Sequence, residues 1–200
     1  MTADSASIDL THHFLIAMPT LEDSLFARSV VYMCEHNSSG AMGLIINKPT
    51  ELTLAQLFSK LDLPLHRTDL FDSPVLHGGP LQPERGFVLH EPMAIPVSEN
   101  EQAPLYASTM KVKEGLELTT SRDVLEALSG GGGPRQVMMT LGYASWGEGQ
   151  LESELAENAW LTVQADLATV FDVPLAQRYD HALELLGLKA WMLSSEAGHA

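Results

Sequence analysis

The residues able to do chemistry in this chain fall into a few short stretches. Cys34 and His36 stand two apart within residues 29–36, SVVYMCEH. On a β-strand that spacing sends both side chains, with Tyr32, to one face. A thiol beside an imidazole is the minimal arrangement for lowering a cysteine pKa and making a nucleophile, and Glu154 could orient the imidazole. The competing reading is a small core residue on an apolar strand. A second set lies in LGYASWGEGQLESELAENAW, residues 141–160. Ser145 precedes Glu148 at the spacing of a capping box, which predicts a helix starting near Ser145. Gln150, Glu154 and Glu157 then recur at i, i+4 and i+7 as one polar face, with Leu151 and Leu155 as an apolar stripe and Trp160 as a core anchor. Gly142, Gly147 and Gly149, around Tyr143 and Trp146, mark backbone that turns tightly or lets another group approach closely.

Asn47-Lys48-Pro49 forms a polar end to an apolar strand, a position where binding groups often sit. His77-Gly78-Gly79-Pro80 offers either a tight turn or backbone amides for an anion. The eight histidines, among them His12, His13, His66, His77 and His90, show no metal-ligand spacing of the HExxH kind. No metal is expected. There is no Ser–His–Asp set, dinucleotide fingerprint or P-loop, and Gly130 to Gly133 before Pro134 lacks the Lys-Ser or Lys-Thr of a phosphate cradle. No cofactor is expected either.

These residues need elements to position them. Residues 13–18 read as a buried strand ended by Pro19, and residues 29–36 and 42–47 as a hairpin turning at Asn37-Ser38-Ser39-Gly40. Thr53 and Gln56 repeat the capping-box spacing, which predicts a helix over 53–61. Short strands follow at 74–77 and 86–90, an irregular proline-bearing loop over 91–104, and strands at 105–112 and 116–119. Ser121 to Leu128 is a short helix, Gln136 to Leu141 a central strand, and Leu175 to Leu186 a helix ending at Gly187. Hairpins early and helices late favour α+β over a regular βαβ succession.

Composition narrows the function. With 200 residues and 45% hydrophobic content the chain suits one domain, here residues 12–193, with flexible ends at 1–11 and 194–200. Its 26 acidic residues against 11 Lys and Arg give a net charge of −15, which repels phosphate backbones and anionic membranes. Direct nucleic-acid binding, and with it a repressor that grips its operator, is disfavoured. The lone Cys34 excludes an intramolecular disulfide, and neither a leader-like segment nor a bilayer-spanning apolar run is visible. A cytoplasmic location is expected.

Four stretches together closely resemble the YqgE/AlgH family of bacterial proteins: FLIAMP at 14–19, YMCEHNSSGAMGLIINKP at 32–49, HGGPLQPERGFVLH at 77–90 and LGYASWGEGQLESELAENAW at 141–160. The match runs in order from about Thr11 to Gly187. It implies a single domain with a bent, barrel-like, mostly antiparallel sheet flanked by helices. The family name links it to regulation of alginate synthesis, at the level of transcription. On Cys34, His36, Asn47, Lys48, Gly78, Gly79, Pro80, Gly142, Trp146, Gln150 and Glu154 the family motifs outline a candidate surface pocket. The expected function is a module binding a small ligand or a protein, with an indirect regulatory role. The alternative is a thiol-dependent enzyme using Cys34, His36 and Glu154.

Overall fold

Residues 8–98 and 101–193 are described in the computed structural model of the chain. In chain order the elements are β1 (His13–Ala17), β2 (Val30–Asn37), β3 (Gly40–Ile45), β4 (Pro49–Thr53), α1 (Leu54–Lys60), β5 (Pro74–His77) and β6 (Leu81–His90). Then come β7 (Ala94–Ser98), β8 (Glu101–Pro104), β9 (Thr109–Val112), β10 (Leu116–Thr119), α2 (Arg122–Ser129), β11 (Val137–Gly147), α3 (Gln150–Ala156), β12 (Trp160–Gln164), α4 (Leu167–Phe171) and α5 (Arg178–Glu184).

The main sheet has the order β12-β1-β2-β3-β11-β6-β10-β9, with β5 joined parallel to β11 and antiparallel to β4. The remaining pairings of this sheet are antiparallel. Its bend makes a half-barrel flanked by helices, an α+β architecture. One face carries Phe14, Tyr32, Leu44, Phe87 and Leu89 against Tyr179 and Leu183 of α5. The other carries Leu15, Val31, Met33 and Trp146 against Leu151 of α3. A third cluster packs α1 and α2 onto β5, β6 and β11 through Phe58, Val75, Val88 and Leu128. Each large apolar side chain buried this way contributes about 1.5–3 kcal/mol of transfer free energy.

The hairpin of β2 and β3 forms as expected, and so does the capping box: Thr53 Oγ1 accepts from the Gln56 amide and Gln56 Oε1 from the Thr53 amide. Several expectations are corrected. Residues 91–104 are not irregular, because β7 and β8 pair there as a separate hairpin. The strand expected over 105–112 is confined to β9, and β12, which pairs with β1, was not foreseen. No helix begins at Ser145. Residues 144–147 pair with residues 40–43 of β3, and Ala144 and Trp146 are buried while Ser145 and Gly147 are exposed, the alternation of a strand. The helix starts instead at Gln150, after Gly149 at φ 71°, without a side-chain cap. A sheet ladder outweighs one local capping signal.

Of the stretch expected to be flexible at the amino end, residues 1–7 lie outside the described residues, as do 194–200 at the other end. Leu10 is buried, and its amide donates to His36 Nδ1. Among the described residues no helix is long and apolar enough to cross a membrane.

Candidate functional site

The expected nucleophile pair is taken apart by one irregularity. Between Met33 and Glu35 the register of β2 against β3 shifts, and Cys34 is the extra residue of a bulge. Cys34 therefore packs with Tyr32 on the face toward α5, 2% exposed, its thiol donating weakly to the Tyr32 carbonyl at 3.8 Å. His36, opposite Ala41, lies on the other face. There its Nδ1 accepts from the Leu10 amide at 3.0 Å, so its proton sits on Nε2, 2.9 Å from Glu152 Oε1. Burial pushes the Cys34 thiol well above its ordinary range. Neither a base nor a lowered pKa activates it, and Glu154 lies among the residues of the opposite face.

Glu154 is instead the hub of a tryptophan clasp. Its Oε2 accepts from the indole N–H of Trp146 and of Trp160, each at 2.8 Å, and its Oε1 accepts from Gln150 Nε2 at 3.0 Å. Gln150 in turn accepts from the Gly147 amide at 3.0 Å. Both indoles are 4% exposed and meet edge to face, with Phe26 completing the aromatic cluster. The polar face read along Gln150 and Glu154 is real, but it ties α3 across the ends of β11 and β12. Glu157, the third member, caps the helix and is exposed.

The glycine motif has an equally specific role. A Cβ on Gly78 would sit 2.1 Å from the Gly142 carbonyl oxygen, and one on Gly79 2.1 Å from the Tyr143 carbonyl carbon. Two backbones cross here in contact, with the Gly78 amide donating to the Leu141 carbonyl and the Ile45 amide to the Gly78 carbonyl, both at 2.8 Å. Gly142, at φ 75°, occupies the register shift that lets β11 leave β6 and pass to β3. Pro80 is exposed beside the crossing. Asn47 and Lys48 hold the loop before β2: Asn47 accepts from the Val30 amide and donates to the Arg28 carbonyl, both at 2.9 Å, and Lys48 Nζ donates to the Ala27 carbonyl at 2.6 Å. Burial first, then the charge of Arg28, pulls the Lys48 amine below its ordinary range.

The sequence-predicted residues thus form four separate arrangements rather than one wall, the first being the backbone crossing at Gly78, Gly79 and Gly142. Cys34 belongs to the core, Asn47 and Lys48 to the loop before β2, and Trp146, Gln150 and Glu154 to the clasp. His77 and His90 face Leu141 and Val137 of β11, four positions apart along that strand. Among the described residues no group of three or more His, Cys, Asp or Glu gathers as a ligand set.

A cavity of about 510 Å³ opens where β6, β9, β10 and β11 meet. Phe87 and Tyr143 meet tilted at 54°, 5.3 Å between ring centres, and the Arg85 guanidinium stands 5.6 Å over the Phe87 ring. Arg85 is steered by Gln82 Oε1 and Thr120 Oγ1, each 3.2 Å away, and by no carboxylate among the described residues. Met42, Met110 and Leu118 supply apolar wall. A cleft with an aromatic floor and a single cation at its edge suits a ligand with a planar or apolar body and a polar or anionic end. Of these residues only Tyr143 drew attention in the sequence, through its glycine neighbour. Arg85 and Phe87 stand in the 77–90 stretch but were not singled out as site residues, since their neighbours lie on other strands.

Comparison with known proteins bears on the family and the fold. A sequence model described as AlgH-like matches residues 14–191. A UPF0301 protein of Verminephrobacter eiseniae is 66% identical over 200 residues, and one of a Polaromonas species 64%, each alignment covering 100% of both chains. The solution structure of the AlgH protein from Pseudomonas aeruginosa superposes with a TM-score of 0.73 at 45% identity, covering 98% of each chain. A crystal structure from Corynebacterium diphtheriae shares the fold alone: TM-score 0.69 at 17% identity, over 93% of this chain and 92% of that one.

Proposed function

Because the chain belongs to the AlgH-like family, we propose that it serves as a non-catalytic binding module of the bacterial cytoplasm that regulates indirectly, by taking up a small ligand or a protein segment. The carrying observation is the cleft of about 510 Å³ floored by Phe87 and Tyr143, with Arg85 at its edge paired to no carboxylate among the described residues. Polar and aromatic groups converge there with no His, Cys, Asp or Glu among the lining residues, and the one thiol is buried outside that lining. The net charge of −15 supports a regulator that works through a ligand or protein rather than by gripping DNA, whose phosphates it repels.

The test is a thermal-shift screen of the purified chain against a metabolite library, repeated with Arg85→Ala and Tyr143→Ala. The reading expects at least one compound that raises the melting temperature of the parent and loses its effect in both variants. It fails if no compound acts, or if every active compound stabilises the variants equally.

A further inference from the structure

A second cavity, of about 280 Å³, lies on the other side of β11, between the start of that strand, the β4–β5 pair and the segment joining α4 to α5. Leu54, Leu76, Met138, Met139, Val170 and Leu175 give it an apolar wall beside a polar one. Two ionic groups line it, Asp172, which is exposed, and Arg178, only 7% exposed. The guanidinium donates through Nε to the Val173 carbonyl at 2.9 Å, and through Nη1 to the Ile46 carbonyl at 2.6 Å and the Met138 sulfur at 3.7 Å. Every one of these acceptors is neutral, and among the described residues Nη2 makes no hydrogen bond. A guanidinium always carries its proton near neutral pH, and taking an unpaired charge out of water is costly unless an anion and further hydrogen bonds offset it. Burial alone pulls Arg178 down to about 10, which leaves it cationic in the cell, with no acidic side chain acting on it.

We propose that this cavity binds a small monocarboxylate with an apolar body, its carboxylate accepting from Arg178 Nη2 and its body lying against the methionine and leucine walls. The volume falls just below the range of drug-sized pockets, so the ligand is the size of a short-chain or single-ring acid. Asp172, exposed on the rim, opposes a doubly charged anion such as phosphate while leaving a single charge tolerable. A planar fork facing a planar carboxylate is the pairing that guanidinium geometry favours.

The probe is sodium hexanoate, titrated into the full chain while the side-chain Nε–H resonance of Arg178 is followed by NMR, with hexanamide and inorganic phosphate as controls. Hexanoate should shift that resonance saturably and bind about 10- to 100-fold more tightly than hexanamide, the difference made by a charge-assisted hydrogen bond. Phosphate should leave it unmoved. Arg178→Met should abolish hexanoate binding. Because Arg178 also ties Ile46 to Val173, and losing that tie can unfold the chain, Leu175→Trp is the second variant. It fills the cavity and keeps the arginine, so it should retain the parent's circular dichroism spectrum and lose the hexanoate response. The proposal is overturned if hexanoate produces no saturable shift, if hexanamide or phosphate matches it, or if folded Leu175→Trp binds hexanoate as the parent does.

Discussion

Replacing Glu154 by alanine removes the single acceptor shared by two indoles. Trp146 and Trp160 each donate to Oε2 at 2.8 Å and are each 4% exposed, so neither can turn to bulk water. A buried donor stripped of its partner costs about 1–3 kcal/mol, and a bond to a charged acceptor lies at the upper end. Two donors would give about 4–6 kcal/mol, but Glu154 itself is half-buried, and water entering its vacated space recovers part of that loss. The expected destabilisation is therefore about 2–4 kcal/mol. In a protein of this size it lowers the melting temperature by roughly 5–15 °C. Urea unfolding followed by tryptophan fluorescence reads it directly, because two of the three indoles sit in the clasp, while Trp191 is 64% exposed. Glu154→Gln keeps one acceptor oxygen for the indoles and turns an amide toward Gln150, so it should cost less than half as much. A Glu154→Ala loss below about 0.5 kcal/mol, or Gln behaving like Ala, would refute the clasp as a structural tie.

Three further outcomes follow from the geometry. Gly78→Ala places a Cβ 2.1 Å from the Gly142 carbonyl oxygen and should destabilise by about 3 kcal/mol or prevent folding, whereas Gly187→Ala, with open space around it, should cost about 1 kcal/mol for its φ of 71°; equal melting temperatures would contradict the backbone crossing. Cys34 should resist alkylation at pH 8 in the folded chain and react only at the rate of global unfolding, so rapid labelling under native conditions would sink its assignment to the core. Glu152 is held below its ordinary 4.5 by its own backbone amide and then by the His36 hydrogen bond. A depressed carboxyl stabilises above the unfolded value and loses that contribution as pH falls through the folded one, so the gap between parent and Glu152→Gln should be present above 4.5 and close below it; a gap constant from pH 7 to 3 would contradict the pairing.

What the sequence made legible was local. The Thr53 and Gln56 pair specified α1 because both hydrogen bonds close within one turn. The same spacing at Ser145 and Glu148 misled, because Trp146 finds its place opposite Ala41 of β3, more than a hundred residues away. The alternation of Ala144, Ser145 and Trp146 was the better signal. Cys34 and His36 were legible as strand residues but not as residues of opposite faces, since a bulge is set by pairing and leaves no mark in the chain. Gly142 offered close approach as one of two readings, while Gly78 and Gly79, read as a tight turn or an anion site, are where the approaching group proves to be backbone. Arg85 and Arg178 were invisible for one reason: an arginine without a carboxylate partner is recognised only once its surroundings are known.

The most direct measurement of the cleft as a binding site is an amide NMR titration of the chain with a fragment library. The account predicts saturable shifts clustered on Phe87, Thr120 and Tyr143 that vanish in Arg85→Ala. Fragments that leave those amides unmoved, or that shift them equally in Arg85→Ala, would contradict it.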